Sequence, residues 1–354
     1  MKITMLEAIN KALFYEMSRD SSVVVLGEDV GKEGGVFRAT EGLQQKYGAE
    51  RVVDTPLAEA GIVGSAIGMA INGLKPVCEI QFFGFIYPAI NQIINHASRM
   101  RTRSRGLYTC PLVIRTPYGI GIKALEHHSE STESYFIHTP GLKVVIPSTA
   151  ADAYGLLLSA IRDPDPVLFL EPTKLYRAFK EEVPIDEGDK KTLDKKEADK
   201  SNKDKSQNVN KSGKAGEYTV SIGKARIVQE GMDCTLISWG AMVKECEKAA
   251  ELLAKEEIFP EIIDLRTVSP MDKEAILASV KKTGRAVIVQ EAPRTLGLSS
   301  EISSIITENS MADLQAPVIR VTSFDIIPPL PKAEHYYAPD PYRIYRGVKK
   351  VLEY

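Results

Sequence analysis

Short runs of β-branched and aliphatic residues alternate with longer segments of helical periodicity along most of this chain. In the first half the strand-like runs are residues 23–27, 76–82, 111–116, 143–147 and 166–172. Between them, residues 86–103 and 149–163 repeat apolar side chains at i, i+3 and i+4, which predicts helices. This alternation predicts an α/β fold in which a mostly parallel sheet is flanked by helices on both faces.

The alternation stops after Tyr176 and resumes near Glu217, which predicts two domains. Residues 186–216 contain only four apolar side chains, Leu193, Ala198, Val209 and Ala215. So polar a segment buries too little surface to offset its ordering entropy, and we expect a mobile linker. A basic, partner-binding arm is the alternative, although acids are interleaved with its lysines. The predicted organisation is an α/β domain at 1–185, the linker at 186–216 and a second α/β domain at 217–354.

The second domain repeats the same pattern. Its strand-like runs are residues 234–240, 261–267, 285–292 and 317–322. Its helix-like segments are residues 241–257, 272–284, 298–310 and the C-terminal 341–354. These periodicities predict a smaller parallel sheet with its own helices.

Charge and composition exclude several classes of protein. The 45 Lys and Arg residues nearly balance the 47 Asp and Glu residues, so nothing suggests a nucleic-acid partner. The four cysteines form no Cys-x-x-Cys pair, which favours a reducing compartment over a zinc knuckle. The most apolar stretch, residues 61–74, is shorter than the roughly 20 residues of a membrane span. We therefore expect a soluble, cytoplasmic protein with no membrane partner.

An unusual helix begins at Glu59, within residues 54–73. Its small residues crowd one side: Gly61, Gly64, Ser65, Gly68 and Ala70. Glycine inside a helix costs about 1 kcal/mol relative to alanine, so close approach by another helix is one reason to keep it. A buried Glu59 would have a raised pKa and could hold or donate a proton. The alternative is a solvated acid favoured by the helix dipole.

A glycine-rich loop at residues 116–134 leads into His127 and His128. Loops after strands carry ligand contacts in α/β folds, and histidine moves protons near neutral pH. A metal site at His127, His128, Glu130 and Glu133 is an alternative, but the two histidines lack i, i+4 spacing. Residues 119–124 (GIGIKA) match a loose dinucleotide fingerprint without the acidic residue expected about 20 positions later. The chain contains no P-loop motif and no G-x-S-x-G elbow.

Longer motifs resemble one enzyme family. They are GEDVG (27–31), GGVFRATEGL (34–43), RVVDTPLAEAGIVGSAIGMA (51–70), EIQFFGFIYPAINQIIN (79–95), HSES (128–131), PGLKVVIPSTAADAYGLL (140–157) and EIIDLRTVSPMD (261–272). Together they resemble the beta subunit of the thiamine-diphosphate-dependent, decarboxylating component of 2-oxoacid dehydrogenase complexes. The resemblance covers nearly the whole chain except about residues 188–216. It implies a pyrimidine-binding domain followed by a transketolase C-terminal-like domain.

The resemblance also implies roles for individual residues. Glu59 matches the glutamate that hydrogen-bonds a pyrimidine nitrogen and promotes loss of the thiazolium proton. Phe85 matches the aromatic residue stacked on the pyrimidine, although the aromatic run around it also fits a plain core. Glu28 and Leu57 match residues of the same pocket. His128 matches the active-site histidine that positions substrate and transfers protons during acyl transfer to lipoamide.

Two metal ions follow from the same resemblance. Backbone oxygens near Leu112, Ala160, Asp163 and Asp165 match a potassium site, with Asp165 where asparagine is common. The family binds the diphosphate through Mg²⁺ on a Gly-Asp-Gly segment, and this chain has none. The resemblance therefore implies an alpha subunit that supplies those ligands, in a heterotetramer of two alpha and two beta chains. A self-contained transketolase-like enzyme is disfavoured for the same reason.

The implied reaction is oxidative decarboxylation of a 2-oxo acid, with acyl transfer to lipoamide on an acyltransferase core. The amino-acid sequence of residues 34–43 and 79–92 favours a branched-chain substrate, with pyruvate as the alternative. Two other readings remain open at this point. One is a nicotinamide-dependent dehydrogenase built on residues 119–124, and the other is a non-catalytic scaffold with the same fold.

Overall fold

The computed structural model describes residues 1–185 and 218–354. The predicted linker at 186–216 lies outside the described residues. In the first half the strands are β1 (Lys2–Ile3), β2 (Val23–Gly27), β3 (Val52–Asp54), β4 (Lys75–Glu79), β5 (Val113–Tyr118), β6 (Lys143–Val145), β7 (Val167–Pro172) and β8 (Glu181–Glu182). The helices are α1 (Met5–Arg19), α2 (Leu43–Tyr47), α3 (Glu59–Ile71), α4 (Ile90–Asn95), α5 (Met100–Arg103), α6 (Ser134–Ile137) and α7 (Ala150–Arg162).

The second half repeats the alternation. Its strands are β9 (Arg226–Gln229), β10 (Thr235–Ser238), β11 (Glu261–Asp264), β12 (Thr267–Ser269), β13 (Ala286–Pro293) and β14 (Ile319–Ser323). Its helices are α8 (Ala241–Ala254), α9 (Lys273–Thr283), α10 (Leu298–Ser310), α11 (Glu334–Tyr337) and α12 (Pro341–Leu352). Among the described residues, no helix is long and apolar enough to cross a membrane.

Each half contains a mostly parallel sheet, as predicted. Within the described residues, the larger sheet has the order β12-β6-β7-β5-β4-β2-β3, and the smaller has the order β14-β13-β10-β11-β9. β2 to β7 all pair in parallel, whereas β9 is an antiparallel edge strand of the smaller sheet. β1 and β8 form a separate antiparallel pair. The buried faces of both sheets are dominated by Val, Ile and Leu, which is typical of parallel sheets covered on both sides.

One strand crosses from the second half to the first. β12 pairs antiparallel with β6, with Thr267 opposite Val145 and Ser269 opposite Val144. The sequence predicts a single strand over residues 261–267, but the chain turns between β11 and β12 at Arg266, whose φ is 54°. The Arg266 guanidinium donates to the carbonyl oxygens of Lys224 and Ala225, which fixes the turn. The two sheets are therefore joined by one continuous segment.

The predicted helix over residues 86–103 is also interrupted. α4 and α5 are separated by a 3₁₀ turn at Ala97–Arg99, and another such turn, containing Pro88, precedes α4. A Cβ on Gly141 would lie 2.1 Å from the Ser98 carbonyl oxygen, so the backbone of another loop presses on this turn. By contrast, α9 begins and ends at residues that commonly cap helices. Asp272 accepts from Ala275 N at 3.2 Å to start α9, and Gly284, with φ 69°, ends it.

Candidate active site

The residues singled out in the first domain lie on loops at one edge of the larger sheet. Glu28 follows β2, Leu57 and Glu59 follow β3, Phe85 follows β4, and His128 follows β5. These four strands are parallel neighbours in the order β5-β4-β2-β3, so their carboxyl ends meet at the same edge. Open α/β sheets bind ligands at this edge.

Two carboxylates meet where β2 and β3 end. Burial raises the pKa of Glu28, and the nearby charges of Glu59 and Asp29 raise it further. Glu59 is the first residue of α3, and this chain's own residues bury it only partly. The expectation of a buried Glu59 is therefore not met within this chain. Leu57 is 78% exposed beside it, so this part of the edge is open.

Four of the five small residues of α3 lie on a face that the described residues leave partly uncovered, whereas Ala70 is buried in the core. Gly61 and Ser65 are exposed. A Cβ on Gly68 would meet no atom of the described residues within 4 Å, and one on Gly64 would contact Gln92 at an ordinary 3.6 Å. Packing within this chain therefore does not require these glycines.

His128 lies in a cluster of aromatic rings. Its ring centroid is 4.2 Å from that of Phe82 and 5.3 Å from that of Phe85, both edge-to-face. A Cβ on Gly84 would lie 2.4 Å from the His127 carbonyl oxygen, so only glycine allows the histidine loop to approach this closely. The buried His128 Nδ1 has no hydrogen-bond partner among the described residues. His127 is instead 53% exposed, 3.6 Å from Glu130. The His127 ring centroid lies 6.2 Å from that of Phe85, so both histidines border the aromatic rings, but only His128 contacts both Phe82 and Phe85.

Carboxylates of the second domain hold the loop that carries His128. Ile120 N donates to Glu291 at 2.6 Å, and Gly121 N donates to Glu334 at 2.8 Å. Ser129 Oγ lies 3.4 Å from the same Glu334 oxygen. The sequence analysis did not identify Glu291 or Glu334 as part of the site. The one feature that could have indicated Glu291 is its position at the end of the strand-like run 285–292.

These contacts exclude the dinucleotide interpretation of residues 119–124. The N–H groups that would bind a pyrophosphate already donate to carboxylates, which would also repel it. The segment leads into a 3₁₀ turn at Glu126–His128 rather than into the α-helix that the fingerprint requires.

The metal alternative is also wrong. Among the described residues, no group of three or more His, Cys, Asp or Glu side chains is placed to hold a metal ion. Of the four candidates, His127 is exposed whereas Glu133 is fully buried. Burial raises the pKa of Glu133 to about 7, and neither of its oxygens has a hydrogen-bond partner in the described part of the chain. Burial likewise raises the pKa of Glu291 to about 7.

A buried ion cluster supports the edge from inside the sheet. Arg115 on β5 donates two parallel hydrogen bonds of 2.8 Å to Glu171 on β7 and a third to Glu79 on β4. All three side chains are almost fully buried. Burial raises the pKa of Glu79, and Arg115 opposes this shift. The cluster ties three central strands together beneath the candidate site.

The residues matched to a potassium site lie at the opposite edge. The carbonyl oxygens of Leu112 and Ala160 accept from Val167 N and Asp163 N. Lys143 Nζ donates to both carboxylate oxygens of Asp163 at 2.6 Å, and Arg101 Nε donates to Asp165 at 2.8 Å. These two carboxylates therefore already face cations and do not fit a potassium ion. An ion there would depend on main-chain oxygens.

The open edge fits one half of thiamine diphosphate. Glu28 and Glu59 place two carboxyl groups at this edge, and Leu57 and Phe85 add apolar surface, a combination that fits the polar and apolar parts of a pyrimidine ring. The orphaned Nδ1 of His128 leaves a buried polar atom near that surface. The described residues offer no matching cluster of hard oxygen ligands for a magnesium diphosphate. The fit therefore covers the pyrimidine end alone.

Comparison with known proteins first defines the class. Residues 1–178 match the pyrimidine binding domain of transketolase, and residues 223–344 match the transketolase C-terminal domain. A solved structure described as a split gene transketolase, an inactive beta4 tetramer, superposes with a TM-score of 0.74. That alignment covers 100% of this chain and 99% of the other at 20% identity, so it shows the shared fold. The predicted two-domain α/β fold class is confirmed.

Close relatives then define the family. The chain is 51% identical over 351 residues to the pyruvate dehydrogenase E1 component subunit beta of Acholeplasma laidlawii, covering 99% of this chain and 98% of that protein. It is 46% identical over 353 residues to the protein of the same name from Bacillus subtilis, covering 100% and 99%. The chain belongs to the beta subunits of the thiamine-dependent first component of 2-oxoacid dehydrogenase complexes. The resemblance is thereby confirmed, whereas the branched-chain preference finds no support in these relatives.

Proposed function

We propose that this chain is the beta subunit of a pyruvate dehydrogenase first component. Together with an alpha subunit it decarboxylates pyruvate and transfers the acetyl group to lipoamide on an acyltransferase core. The observation that supports this most is the open edge at Glu28, Leu57 and Glu59, combined with relatives that span the full chain under that one name. Bound thiamine diphosphate would supply the electron sink that decarboxylation requires.

Within this proposal, Glu59 holds and shares a proton at a pyrimidine nitrogen. Its place at the start of α3 leaves its carboxyl group reachable, and Glu28 lies close enough to be influenced by its charge. Two neighbouring acids whose environments differ are suited to keeping one proton between them. Phe85 provides the apolar surface against which the ring lies. His128, held by Phe82 and Phe85, moves protons and orients the acyl acceptor.

The alpha subunit completes the site. The exposed Leu57 and the partly uncovered glycine face of α3 are surfaces that a partner chain would bury. The magnesium ligands for the diphosphate also come from that partner, because this chain has no Gly-Asp-Gly segment. A two-alpha, two-beta assembly places one such shared site at each interface. Potassium, where bound, contacts main-chain oxygens near Leu112 and Ala160 and stabilises the fold away from the chemistry.

The test is reconstitution. We expect the purified chain to decarboxylate pyruvate only when mixed with its alpha subunit, thiamine diphosphate and Mg²⁺. Comparing kcat/KM for pyruvate and for 3-methyl-2-oxobutanoate checks the substrate, and pyruvate is expected to be preferred. Turnover by this chain alone would overturn the shared site. A preference for the branched substrate would overturn the pyruvate assignment and leave the shared site standing.

A further inference from the structure

Four arginines line a single cavity in the second domain, and none of the residues assigned to the candidate active site lines it. The cavity has a volume of about 400 Å³ and opens where β13 and β14 end. Arg294 directly follows β13, Arg320 lies on β14, and Arg343 and Arg346 lie in the first half of α12. Positive charge is therefore concentrated at the carboxyl edge of the smaller sheet, where parallel sheets commonly bind ligands.

Carboxylates act on these guanidinium groups only at longer range: Asp325 on Arg294 and Arg320, and Asp340 on Arg343. Within residues 1–185 and 218–354, none of the four forms an ion pair with a carboxylate. Their hydrogen bonds go to uncharged oxygens: Arg294 to Arg320 O at 2.9 Å, Arg320 to Ser300 Oγ at 2.6 Å, and Arg343 to Tyr337 O at 3.1 Å and to Thr322 O. The planar guanidinium fork is suited to bidentate hydrogen bonds with carboxylates and phosphates.

Asp325, the one acid of the cavity lining, offsets the charge of Arg294 and Arg320 only in part. The carboxylate of Asp325 accepts from Thr295 N at 2.9 Å and from Thr295 Oγ1 at 2.7 Å. Burial lowers the pKa of Arg320, and the charge of Arg294 lowers it further. Burial also lowers the pKa of Arg343. Arg320 and Arg343 are half-buried and Arg294 and Arg346 are exposed, so the protein holds like charges together in a partly solvated cavity, which a bound anion would stabilise.

We propose that this cavity binds a small anion with two or more phosphate groups. Planar guanidinium groups match phosphate oxygens in a bidentate manner, and the lining exceeds its one acid by three positive charges. A single carboxylate would leave most of that charge unopposed. The ring of Phe324, 51% exposed, forms one wall, and the Arg343 guanidinium lies 4.6 Å from its centroid. This wall offers a surface for a base or another flat group joined to the phosphates.

Calorimetric titration of the full chain with inorganic pyrophosphate tests the site. The buffer is free of Mg²⁺ and held at constant ionic strength, and ADP is titrated in a second arm. We expect saturable binding that the double variant Arg294→Gln, Arg346→Gln weakens at least tenfold, because each lost charged contact is large relative to RT. Tighter binding of ADP than of pyrophosphate would assign the Phe324 wall to a base.

The matched control is Arg103→Gln, Arg105→Gln, which removes the same charge from exposed positions on and after α5. Melting temperatures of both double variants equal to that of the unmodified chain show that each variant is folded. Saturable pyrophosphate binding that the control leaves unchanged supports the site. No saturable binding by the unmodified chain, or the same weakening in both double variants, would overturn it.

Discussion

The carboxylate of Glu334 accepts a 2.8 Å hydrogen bond from the main-chain N–H of Gly121, 213 positions earlier in the chain. The same carboxylate lies within reach of Ser129 Oγ, directly after His128. Residues of the second domain thus position the first-domain loop that carries His128. Because a charged acceptor strengthens such bonds, the contact fixes the loop more firmly than a neutral one would.

Glu334→Ala removes this acceptor. We expect the free energy of unfolding to fall by about 1.5–3 kcal/mol, the range for hydrogen bonds to a charged group. Turnover of the assembled enzyme should fall as well, because His128 loses its support. Urea denaturation and steady-state kinetics measure the two effects. Partial rescue of turnover by Glu334→Gln, which retains an acceptor oxygen, is the expected signature of positioning, and equal losses in both variants would contradict it.

His128→Ala should lower lipoamide-linked turnover by about 10²–10⁴-fold, the usual contribution of a positioned acid or base. Its neighbour His127 provides a matched control, because it is 53% exposed and its ring approaches only Phe85, at 6.2 Å, and not Phe82. His127→Ala should leave turnover within a few fold of the unmodified enzyme. Equal losses in the two variants would contradict the assignment of His128 alone.

The buried acids Glu133 and Glu291 make stability depend on pH. Burial raises the pKa of each from an ordinary 4.5 to about 7, so the folded state binds more protons than the unfolded state between these values. Stability is therefore expected to fall as the pH rises from about 5 to about 7 and to level off above. Melting temperatures across this range measure the effect.

Glu133→Gln mimics the protonated acid and should flatten part of this pH dependence, stabilising the protein most at pH values above about 7. Glu308→Gln, on the exposed face of α10, makes the same change without burial and should have little effect. A pH profile that is the same for Glu133→Gln and the unmodified chain would show that Glu133 titrates normally.

Arg115→Met leaves Glu79 and Glu171 buried without their cation. We expect a loss of about 3–5 kcal/mol in the free energy of unfolding, typical of breaking a buried pair from one side. Arg101→Met breaks only the exposed contact with Asp165 and should change stability little. Chemical denaturation of the two variants, run in parallel, measures the difference. Coinciding denaturation midpoints would refute the role of the cluster.

Local patterns in the sequence predict most of the helices. Residues 298–310 have helical period and form α10 with those bounds, and the helix-like segment 272–284 matches α9 to within one residue at each end. Two predictions failed where other parts of the chain intervene. The helix over 86–103 is interrupted where a loop packs at Ser98, and the strand over 261–267 is divided by the turn at Arg266.

Prediction of the candidate site from the sequence also fails where distant parts of the chain make contact. Glu59 and His128 could be singled out from local patterns, and Glu28, Leu57 and Phe85 could be proposed because they lie in motifs that resemble one enzyme family. Glu291 and Glu334 could not, because they contact the histidine loop across 171 and 213 positions of sequence. No local periodicity or motif indicates a contact between residues so far apart in the sequence.

Hydrogen–deuterium exchange at the thiazolium carbon of thiamine diphosphate tests the role of Glu59 most directly. In the assembled enzyme, Glu59→Gln is expected to slow this exchange by about 10²-fold or more, since the glutamine cannot share the proton. Binding of the cofactor should change far less, because the proposed site takes its diphosphate contacts from the partner subunit. An exchange rate equal to that of the unmodified enzyme would contradict the account.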